Sequence, residues 1–352
     1  MNNRAIVSGS GFAFPETATQ VDLWDGFFKA HYNNSPIARR IFTTAGVRQR
    51  HAVANPIIED VSGLSTAARM MRFLPEAMPL GKEAIGTALT DAGLDASDIG
   101  LFAVASCTGY ATPGLDILLA RDIGMSDSVQ RLFIGHMGCY AALPALGAVS
   151  DFVTARRRPA LLLCLELTSL HIQPPTSETD QIVSHALFSD AAAALVVQPS
   201  APGSARAGLE VVDIIAQTDV SAQDHMTWDV TDLGFRMGLS ARVPDVLAVH
   251  LRNVVDDLLK RNRLAISDVR GWAVHPGGPR ILDVAAEVLD LKPDDLIESR
   301  EALADHGNCS SATVLVVLEG VRERRDLKPG QHVIALAFGP GLTLYATLLR
   351  AT

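Results

Sequence analysis

Three side chains of this 352-residue chain have the types and positions that nucleophilic catalysis would need. The first is Cys139, which follows Gly138 in the stretch GHMGCYAALPAL, an Ala/Leu-rich pattern typical of a buried helix. A thiol is a nucleophile only as its thiolate, and the N-terminus of a helix favours that anion. Taken alone, however, Cys139 is more simply interpreted as a packing residue, because free cysteines are among the most buried residues.

His275 and Asn308 change this interpretation. His275 follows the apolar segment GWAV and precedes PGGP, so we expect it at the carboxyl end of a buried strand, where α/β proteins build their sites. Asn308, in HGNCSSATVL, precedes a second apolar helix, where asparagine is also a common N-cap. A cysteine, a histidine and an asparagine at such positions can supply a thiolate–imidazolium pair and a donor for an oxyanion.

The elements that position these residues follow from short apolar segments bounded by Gly and Pro. Strands are expected at 101–107, 160–167, 191–198, 271–276 and 332–341, and helices at 79–94 and 244–264. Their alternation predicts an α/β fold. The Pro/Gly/Ser/Ala-rich segment 199–206 predicts a linker between an N-terminal half, 1–200, and a C-terminal half, 207–352. Helix–strand units of similar order in both halves suggest a duplication.

Composition excludes several classes of function. The hydrophobic content of 48% is enough for a large core, and a formal charge of −9 argues against a general nucleic-acid binder. The four cysteines follow no CxxC or zinc spacing, so we expect no metal site and a reducing cytoplasm. No secretory signal and no unbroken apolar stretch of membrane-spanning length is visible, so we expect no membrane association.

Four motifs in this chain resemble the signatures of type III polyketide synthases, the chalcone synthase-like branch of the thiolase superfamily. They are GCYA, HPGGPRILD, HGNCSSATVL and FGPGLT, they fall in order, and the likeness extends from about 45 to 350. The His-Pro-Gly-Gly-Pro and Phe-Gly-Pro-Gly elements separate this branch from ketoacyl synthase III enzymes. The resemblance implies a thiolase-like fold, in which two duplicated βα halves form a layered αβαβα core, and a homodimer.

The resemblance also implies a reaction in secondary metabolism. Cys139 would accept an acyl group from an acyl-CoA starter, and His275 would hold that cysteine as a thiolate. With Asn308, His275 would then bind the thioester oxygen of malonyl-CoA (or methylmalonyl-CoA) while CO2 leaves and the chain grows by two carbons. Repetition and cyclisation would give a pyrone, a resorcinol or a similar product. The CoA thioesters are substrates, and no cofactor or metal is expected.

Residues of the substrate cavity are assigned by the same resemblance. Phe188, in ALFSDAAAALVV, aligns with a gatekeeping phenylalanine, and a second gatekeeper falls on Met237, or on Phe235 if the alignment shifts by two. His171 stands where a small residue is usual, and it would either bond an intermediate or fill volume. Thr112 replaces a methionine that reaches across the dimer in plant members. The pattern adds Ser310, Phe338 and Gly339 to the cavity.

Recognition of CoA is less well marked in the sequence. The expected contacts are Arg40, Arg48, Gly277, Gly278 and Arg280, of which only Arg40 falls on a basic position of the plant enzymes. An acyl carrier protein, which presents an acidic surface, is therefore an alternative donor of the starter.

Three other functions remain open at this point. A ketoacyl synthase III-type enzyme would make a single condensation on a carrier protein with the same three residue types. A cysteine hydrolase also uses Cys, His and Asn, although the apolar setting of all three argues against it. A non-catalytic protein that binds CoA esters would not need all three residues intact.

Overall fold

The computed structural model describes residues 4–201 and 206–352, and within them it contains thirteen strands and eleven α-helices. The strands are β1 Arg4–Ala13, β2 Thr17–Thr19, β3 Gln49–His51, β4 Leu101–Ala105, β5 Gln130–Ile134, β6 Ala160–Glu166, β7 Ala191–Ser200, β8 Leu209–Thr218, β9 Met226–Thr231, β10 Gly234–Leu239, β11 Val269–Val274, β12 His332–Gly339 and β13 Thr343–Ala351. The helices are α1 Gln20–Leu23, α2 Lys29–His31, α3 Pro36–Thr44, α4 Thr66–Ala92, α5 Leu115–Asp122, α6 Ala142–Arg156, α7 Thr179–Leu187, α8 Val243–Arg261, α9 Pro279–Leu289, α10 Ile297–His306 and α11 Thr313–Arg324.

Nine of these strands form one mixed sheet in the order β11-β12-β13-β8-β1-β7-β6-β4-β5. β4 pairs in parallel with β5 and β6, β11 pairs in parallel with β12, and the other neighbours are antiparallel. β6 is buried at every residue, as expected of a strand covered on both faces. The two halves of the sheet meet at β1 and β8, which pair only at Ile6 and Val7.

Helices cover both outer faces of the sheet and fill the space between its halves. Along β6, Leu161, Leu163 and Leu165 pack into an outer core with α4, whereas Leu162 and Cys164 face a central core. α6 and α11 form that central core, and α8 and α9 pack in a third core on the far side. Because side chains alternate across a strand, each sheet half serves two cores. The layers are helix, sheet, helix, sheet and helix, which confirms the expected αβαβα architecture.

Two sequence-based predictions of elements need correction. The helix expected at 79–94 begins at Thr66, where Ser65 caps it by accepting the Ala68 N–H, and it runs through Pro75 and Pro79 before ending at Gly93. The helix continues through both prolines because packing of its buried face outweighs their intrinsic cost. The expected linker at 199–206 begins inside β7, and its residues 202–205 lie outside the described residues. The division at 1–200 and 207–352 stays a prediction.

One helical stretch of the described chain, Gly138–Arg156, is long and apolar enough to cross a membrane by length and composition alone. It includes α6, and Leu143, Leu146, Val149 and Val153 of that helix are buried in the central core. Core helices pass the same test of length and hydropathy, so the match is weak evidence for a membrane span.

Candidate active site

Cys139 lies in a 3-10 turn, Gly138–Tyr140, that leads into α6. The side chain is 6% exposed. Gly138 adopts φ +69°, and a Cβ there would come within 2.9 Å of Cδ of Pro340. The turn therefore needs glycine both for its left-handed backbone and for its close contact with the Phe-Gly-Pro-Gly segment. Gly339 of this segment also lies close to the nucleophile, since a Cβ at that position would be 3.4 Å from the Cys139 backbone nitrogen.

His275 directly follows β11 and is completely buried. Its backbone N–H donates to the carbonyl of Leu336 on β12 at 2.8 Å, which fixes the end of the strand. The ring packs edge-on against Phe338 with a centroid distance of 5.6 Å. Neither ring nitrogen has a hydrogen-bond partner within the described chain, so both stay available to a substrate. Burial lowers the pKa of His275 to about 3, which makes the imidazole neutral at physiological pH.

Asn308 is 2% exposed and lies in the turn between α10 and α11. It is not the N-cap of α11, which is Ala312. Its Oδ1 accepts the Ser310 N–H at 2.9 Å, and the Thr313 hydroxyl donates to the same oxygen at 3.5 Å. Since these bonds occupy the carbonyl end of the side chain, the amide nitrogen is its donor, and its hydrogen bond to the Cys139 thiol lowers the pKa of that group.

These three residues line a single cavity of about 320 Å³. They come from β11 and from the segments preceding α6 and α11, so all three lie at the ends of regular elements, as the sequence suggested. The remaining lining is mainly apolar and includes Phe188, Met237 and Phe338. Among the described residues, no group of three or more His, Cys, Asp or Glu side chains is arranged to hold a metal ion.

The environment of Cys139 disfavours its charged form at rest. Burial raises the pKa of the thiol to about 12, hydrogen bonds from Ser310 and Asn308 lower it, and the charge of Glu166 raises it further. His275 lines the same cavity, and burial disfavours its charged form as well, so both groups are neutral at rest. The arrangement therefore suits a proton transfer from sulfur to imidazole at the moment of attack, rather than a permanent ion pair.

Glu166 is a buried carboxylate that the sequence did not single out. It is 0% exposed at the end of β6 and accepts the Ser311 hydroxyl at 2.6 Å, the Thr108 hydroxyl at 2.8 Å and the Cys107 N–H at 3.0 Å. Burial raises the pKa of Glu166, and these hydrogen bonds lower it. An acidic residue at the end of an apolar strand is usually exposed to solvent, so the sequence contained no signal that Glu166 is buried and hydrogen-bonded in this way.

Two smaller cavities share lining residues with the main one. The first, about 20 Å³, is lined by Cys139 and Ser310, and the second, about 40 Å³, is lined by Phe235. Phe188 and Met237 line all three cavities, and Trp228 lines both smaller ones. Phe235 lies on the same face of β10 as Met237, because residues two apart on a strand point the same way. Trp228 was also missed by the sequence analysis.

His171 lines the cavity of about 40 Å³, and both of its ring nitrogens form hydrogen bonds with backbone groups. Nε2 donates to the Thr108 carbonyl at 2.7 Å, and Nδ1 accepts the Phe235 N–H at 2.9 Å. The ring stacks on Phe235 with a centroid distance of 4.4 Å. Of the two interpretations left open for His171, these contacts favour filling of volume, since no nitrogen is left for an intermediate.

The residues expected to contact CoA divide into two groups. Gly277, Gly278 and Arg280 line the main cavity. Arg40 is exposed on α3, outside the lining of the cavities described above, and Arg48 pairs with Asp305 at 2.5 Å. Thr112 also lies apart from these cavities, in the surface loop before α5.

Comparison with known proteins places this geometry in context. Family models of chalcone and stilbene synthases match almost all of the chain, the N-terminal domain over 2–202 and the C-terminal domain over 211–352. A 1,3,6,8-tetrahydroxynaphthalene synthase of Streptomyces peucetius is 37% identical over 89% of this chain and 83% of the relative. An alpha-pyrone synthesis polyketide synthase-like protein of Mycobacterium tuberculosis is 32% identical over 80% of this chain and 72% of the relative.

A solved structure of a bacterial type III polyketide synthase has the same fold. It is the 1,3,6,8-tetrahydroxynaphthalene synthase of Streptomyces coelicolor, which aligns over 99% of both chains with a TM-score of 0.89 at 28% identity.

Proposed function

Because the chain belongs to the chalcone and stilbene synthase family and is a type III polyketide synthase, we propose that Cys139, His275 and Asn308 are its catalytic residues. The enzyme is an acyltransferase that joins malonyl units to an acyl starter by iterative decarboxylative Claisen condensation and then cyclises the chain. A single condensation of the ketoacyl synthase III type is not favoured, since the relatives are type III polyketide synthases.

The first step would load the starter onto Cys139. The sulfur attacks the carbonyl carbon of an acyl-CoA thioester while neutral His275 accepts the thiol proton. The tetrahedral intermediate then collapses with cleavage of the carbon–sulfur bond to CoA, and the proton passes from His275 to the departing CoA thiolate. Burial of both groups supports this order, because it favours their neutral forms until the substrate arrives.

The second step would generate the carbon nucleophile from malonyl-CoA. The bond to the malonyl carboxylate breaks, CO2 leaves, and the electron pair moves onto the thioester as an enolate. The amide N–H of Asn308 and the N–H of neutral His275 would hydrogen-bond the developing oxyanion. Such fixed donors contribute most where water is excluded, and Phe188 forms an apolar wall of the same cavity. The enolate carbon then attacks the carbonyl carbon of the acyl-Cys139 thioester. The bond from that carbon to the Cys139 sulfur breaks, the thiolate is released and takes up a proton, and the chain, now two carbons longer, is carried by CoA.

One observation supports these assignments: the thiol, an imidazole with two unpartnered nitrogens and a carboxamide whose amide end hydrogen-bonds that thiol line one apolar cavity. The test uses Cys139→Gln, with Cys164→Ala as a matched control in a second buried cysteine that does not line the cavity. We expect Cys139→Gln to lose polyketide formation and to retain conversion of malonyl-CoA to acetyl-CoA, and Cys164→Ala to retain both. Polyketide formation by Cys139→Gln would contradict the assignment of the nucleophile.

Separate variants test the two donors. We expect His275→Ala and Asn308→Ala to lower malonyl-CoA decarboxylation by about 10²–10³-fold each, the usual cost of removing an oxyanion donor. Mass spectrometry of acetyl-CoA formed in the Cys139→Gln background measures this step alone. Decarboxylation at the parental rate in either variant would remove that residue from the mechanism.

CoA thioesters are the proposed substrates, without a further cofactor or a metal. Gly277, Gly278 and Arg280 line the cavity, which supports a pairing of the Arg280 guanidinium with a CoA phosphate. Arg48 is held by Asp305 and would have to exchange that partner to reach CoA. An acyl carrier protein as the starter donor remains the alternative, and a comparison of acyl-CoA with acyl-carrier starters would decide between them.

The cyclised product is proposed to be a pyrone, a resorcinol or a related small aromatic. One relative is named for an alpha-pyrone and another for 1,3,6,8-tetrahydroxynaphthalene, and both products are rings built from polyketide chains. Mass spectrometry of products formed from malonyl-CoA with a panel of acyl-CoA starters would identify the product. Linear products alone would contradict the proposed cyclisation.

A homodimer in the cytoplasm completes the proposal. β5 is an edge strand of the sheet, and its Leu132 and Phe133 are 37% and 42% exposed. Exposed apolar side chains on an unpaired edge favour pairing with another strand, here from a second copy. The cysteines Cys107, Cys139, Cys164 and Cys309 are all free thiols, which suits a reducing compartment.

A further inference from the structure

Arg50, in β3, is a buried cation that the mechanism above does not use. It is 7% exposed, and its Nη1 donates to the carbonyl of His185 at 2.6 Å and to that of Phe188 at 3.0 Å. Both carbonyls belong to the C-terminal end of α7, where a positive charge is favourable. Burial lowers the pKa of Arg50 to about 10, so the guanidinium remains charged at neutral pH.

The charge of Asp190 also stabilises the guanidinium, but the remaining guanidinium nitrogens make no hydrogen bond within the described chain. Its central carbon lies 5.6 Å from the centroid of the Phe28 ring and 5.9 Å from that of Phe42. Nε and Nη2 have no hydrogen-bond partner within the described chain. The two bonds from Nη1 are therefore the polar anchors of this side chain, and the aromatic rings stabilise the charge on its other side.

The carbonyl that Arg50 holds belongs to the gate segment, residues 187–189, which carries Phe188. This segment is joined to the catalytic turn by two backbone hydrogen bonds. The Asn308 N–H donates to the Leu187 carbonyl at 2.8 Å, and the Ser189 N–H donates to the Asn308 carbonyl at 2.9 Å. Phe188 and Asn308 thus face each other as a parallel bridge, with a hydrogen bond on each side.

We propose that Arg50 is a positioning residue of this active site, which holds the gate segment in place and, through it, the carboxamide of Asn308. Arg50 does not line the main cavity with Cys139, His275 and Asn308, so it acts through the backbone and not on the reacting atoms. Displacing the Phe188 carbonyl would displace both the apolar wall and the oxyanion donor. The inference rests on the proposed role of Asn308 in decarboxylation.

The expected consequence is a loss of rate at the decarboxylation step. Misplacing a catalytic group by about 1 Å can cost up to about 10²-fold, so we expect Arg50→Gln to lower kcat for malonyl-CoA decarboxylation roughly 10–100-fold. KM should change less than about twofold on this reasoning, because Arg50 contacts no part of the main cavity. Arg50→Lys keeps the charge and one donor, and it should recover part of the lost rate.

A double-mutant cycle with Asn308→Ala tests the coupling. All variants are made in the Cys139→Gln background, and acetyl-CoA formation from malonyl-CoA is measured. If Arg50 acts through Asn308, Arg50→Gln should cost less than about twofold once Asn308 is alanine. An equal loss in both backgrounds, or no loss in either, would overturn the proposal. If Arg50→Gln does not fold, the same cycle is run with Arg50→Lys.

Arg69 provides a matched control. It is also fully buried, and it donates to the carbonyls of Leu64, Leu170, Ile172 and Ser62, none of which belongs to the gate segment or to the catalytic turn. Arg69→Gln should lower the Tm without coupling to Asn308→Ala. Equal coupling by Arg69 would indicate general loosening and would refute a specific role for Arg50.

Failure of the underlying mechanism is distinguishable from failure of this inference. Unchanged decarboxylation in Asn308→Ala itself would remove Asn308 from the mechanism and Arg50 with it. If Asn308→Ala lowers the rate strongly and Arg50→Gln lowers it by the same factor with or without Asn308, the mechanism stands and only the role of Arg50 is overturned.

Discussion

Gly307, immediately before Asn308, is the position where adding a single methyl group should most strongly reduce both stability and activity. Its backbone angles are φ +69° and ψ −167°, a region that is essentially reserved for glycine. A Cβ there would lie 2.9 Å from the Leu187 carbonyl oxygen, 3.0 Å from Cβ of Ser189 and 3.1 Å from Cγ of Arg50. Two of these atoms belong to the gate segment, so alanine would push the gate away from the turn that carries Asn308.

The size of the effect follows from these contacts. Backbone strain of about 1–3 kcal/mol and overpacking of about 1–3 kcal/mol predict that Gly307→Ala lowers the free energy of unfolding by about 2–6 kcal/mol. The shift of the gate segment should also reduce malonyl-CoA decarboxylation by about 10–100-fold. Urea denaturation measures the first effect, and acetyl-CoA formation in the Cys139→Gln background measures the second.

Gly124→Ala is the control for strain without contact. Gly124 has φ +77°, and a Cβ there would meet no atom within 4 Å. It should cost about 1–2 kcal/mol from the left-handed backbone alone and leave decarboxylation unchanged. If Gly307→Ala is no less stable than Gly124→Ala and decarboxylates at the parental rate, the reasoning about the gate segment is wrong.

Three further predictions concern other parts of the molecule. Glu166→Gln should speed alkylation of Cys139 by iodoacetamide at pH 8, because the carboxylate charge raises the pKa of that thiol; the expected gain is about tenfold for each unit by which the pKa falls. Peptide mapping by mass spectrometry measures the alkylation, and an unchanged or slower rate would contradict this prediction. Trp228→Ala should join the two smaller cavities, and kcat/KM for a longer acyl-CoA starter should rise relative to kcat/KM for acetyl-CoA. If the ratio of these two values is unchanged, Trp228 does not limit starter length. Leu132→Glu, on the exposed edge strand β5, should shift the protein from dimer to monomer in light scattering at micromolar concentration, whereas an intact dimer would place the interface elsewhere.

The αβαβα fold could be predicted from the sequence, whereas its detailed contacts could not. Strand and helix positions follow from local apolar patterns and breakers, and the layered order follows from the family resemblance. The helix predicted to begin at 79 begins at Thr66, because its buried face continues through Pro79 toward the N-terminus. Packing against distant strands decided that boundary, and no local window of sequence contains those strands.

For the candidate site, too, the sequence indicated residues but not the contacts that they make. Arg48 was chosen for its nearness along the chain to the expected CoA contacts, but its carboxylate partner Asp305 is 257 positions away. His171 left two interpretations open, and the Thr108 carbonyl and the Phe235 N–H occupy its nitrogens. Glu166, at the end of β6, and Arg50, within β3, gave no signal in the sequence, because charged residues are usually solvated.

By itself, the sequence determined which residues are able to do the chemistry. Thiol, imidazole and carboxamide are properties of Cys139, His275 and Asn308, and Gly and Pro beside them mark the turns where such groups emerge from buried elements. Only the tertiary structure decided which side chains share a cavity, which nitrogens remain unpartnered and which buried charges act on the thiol. Those properties depend on desolvation and on contacts between residues far apart in the chain, which arise only when the layers pack together.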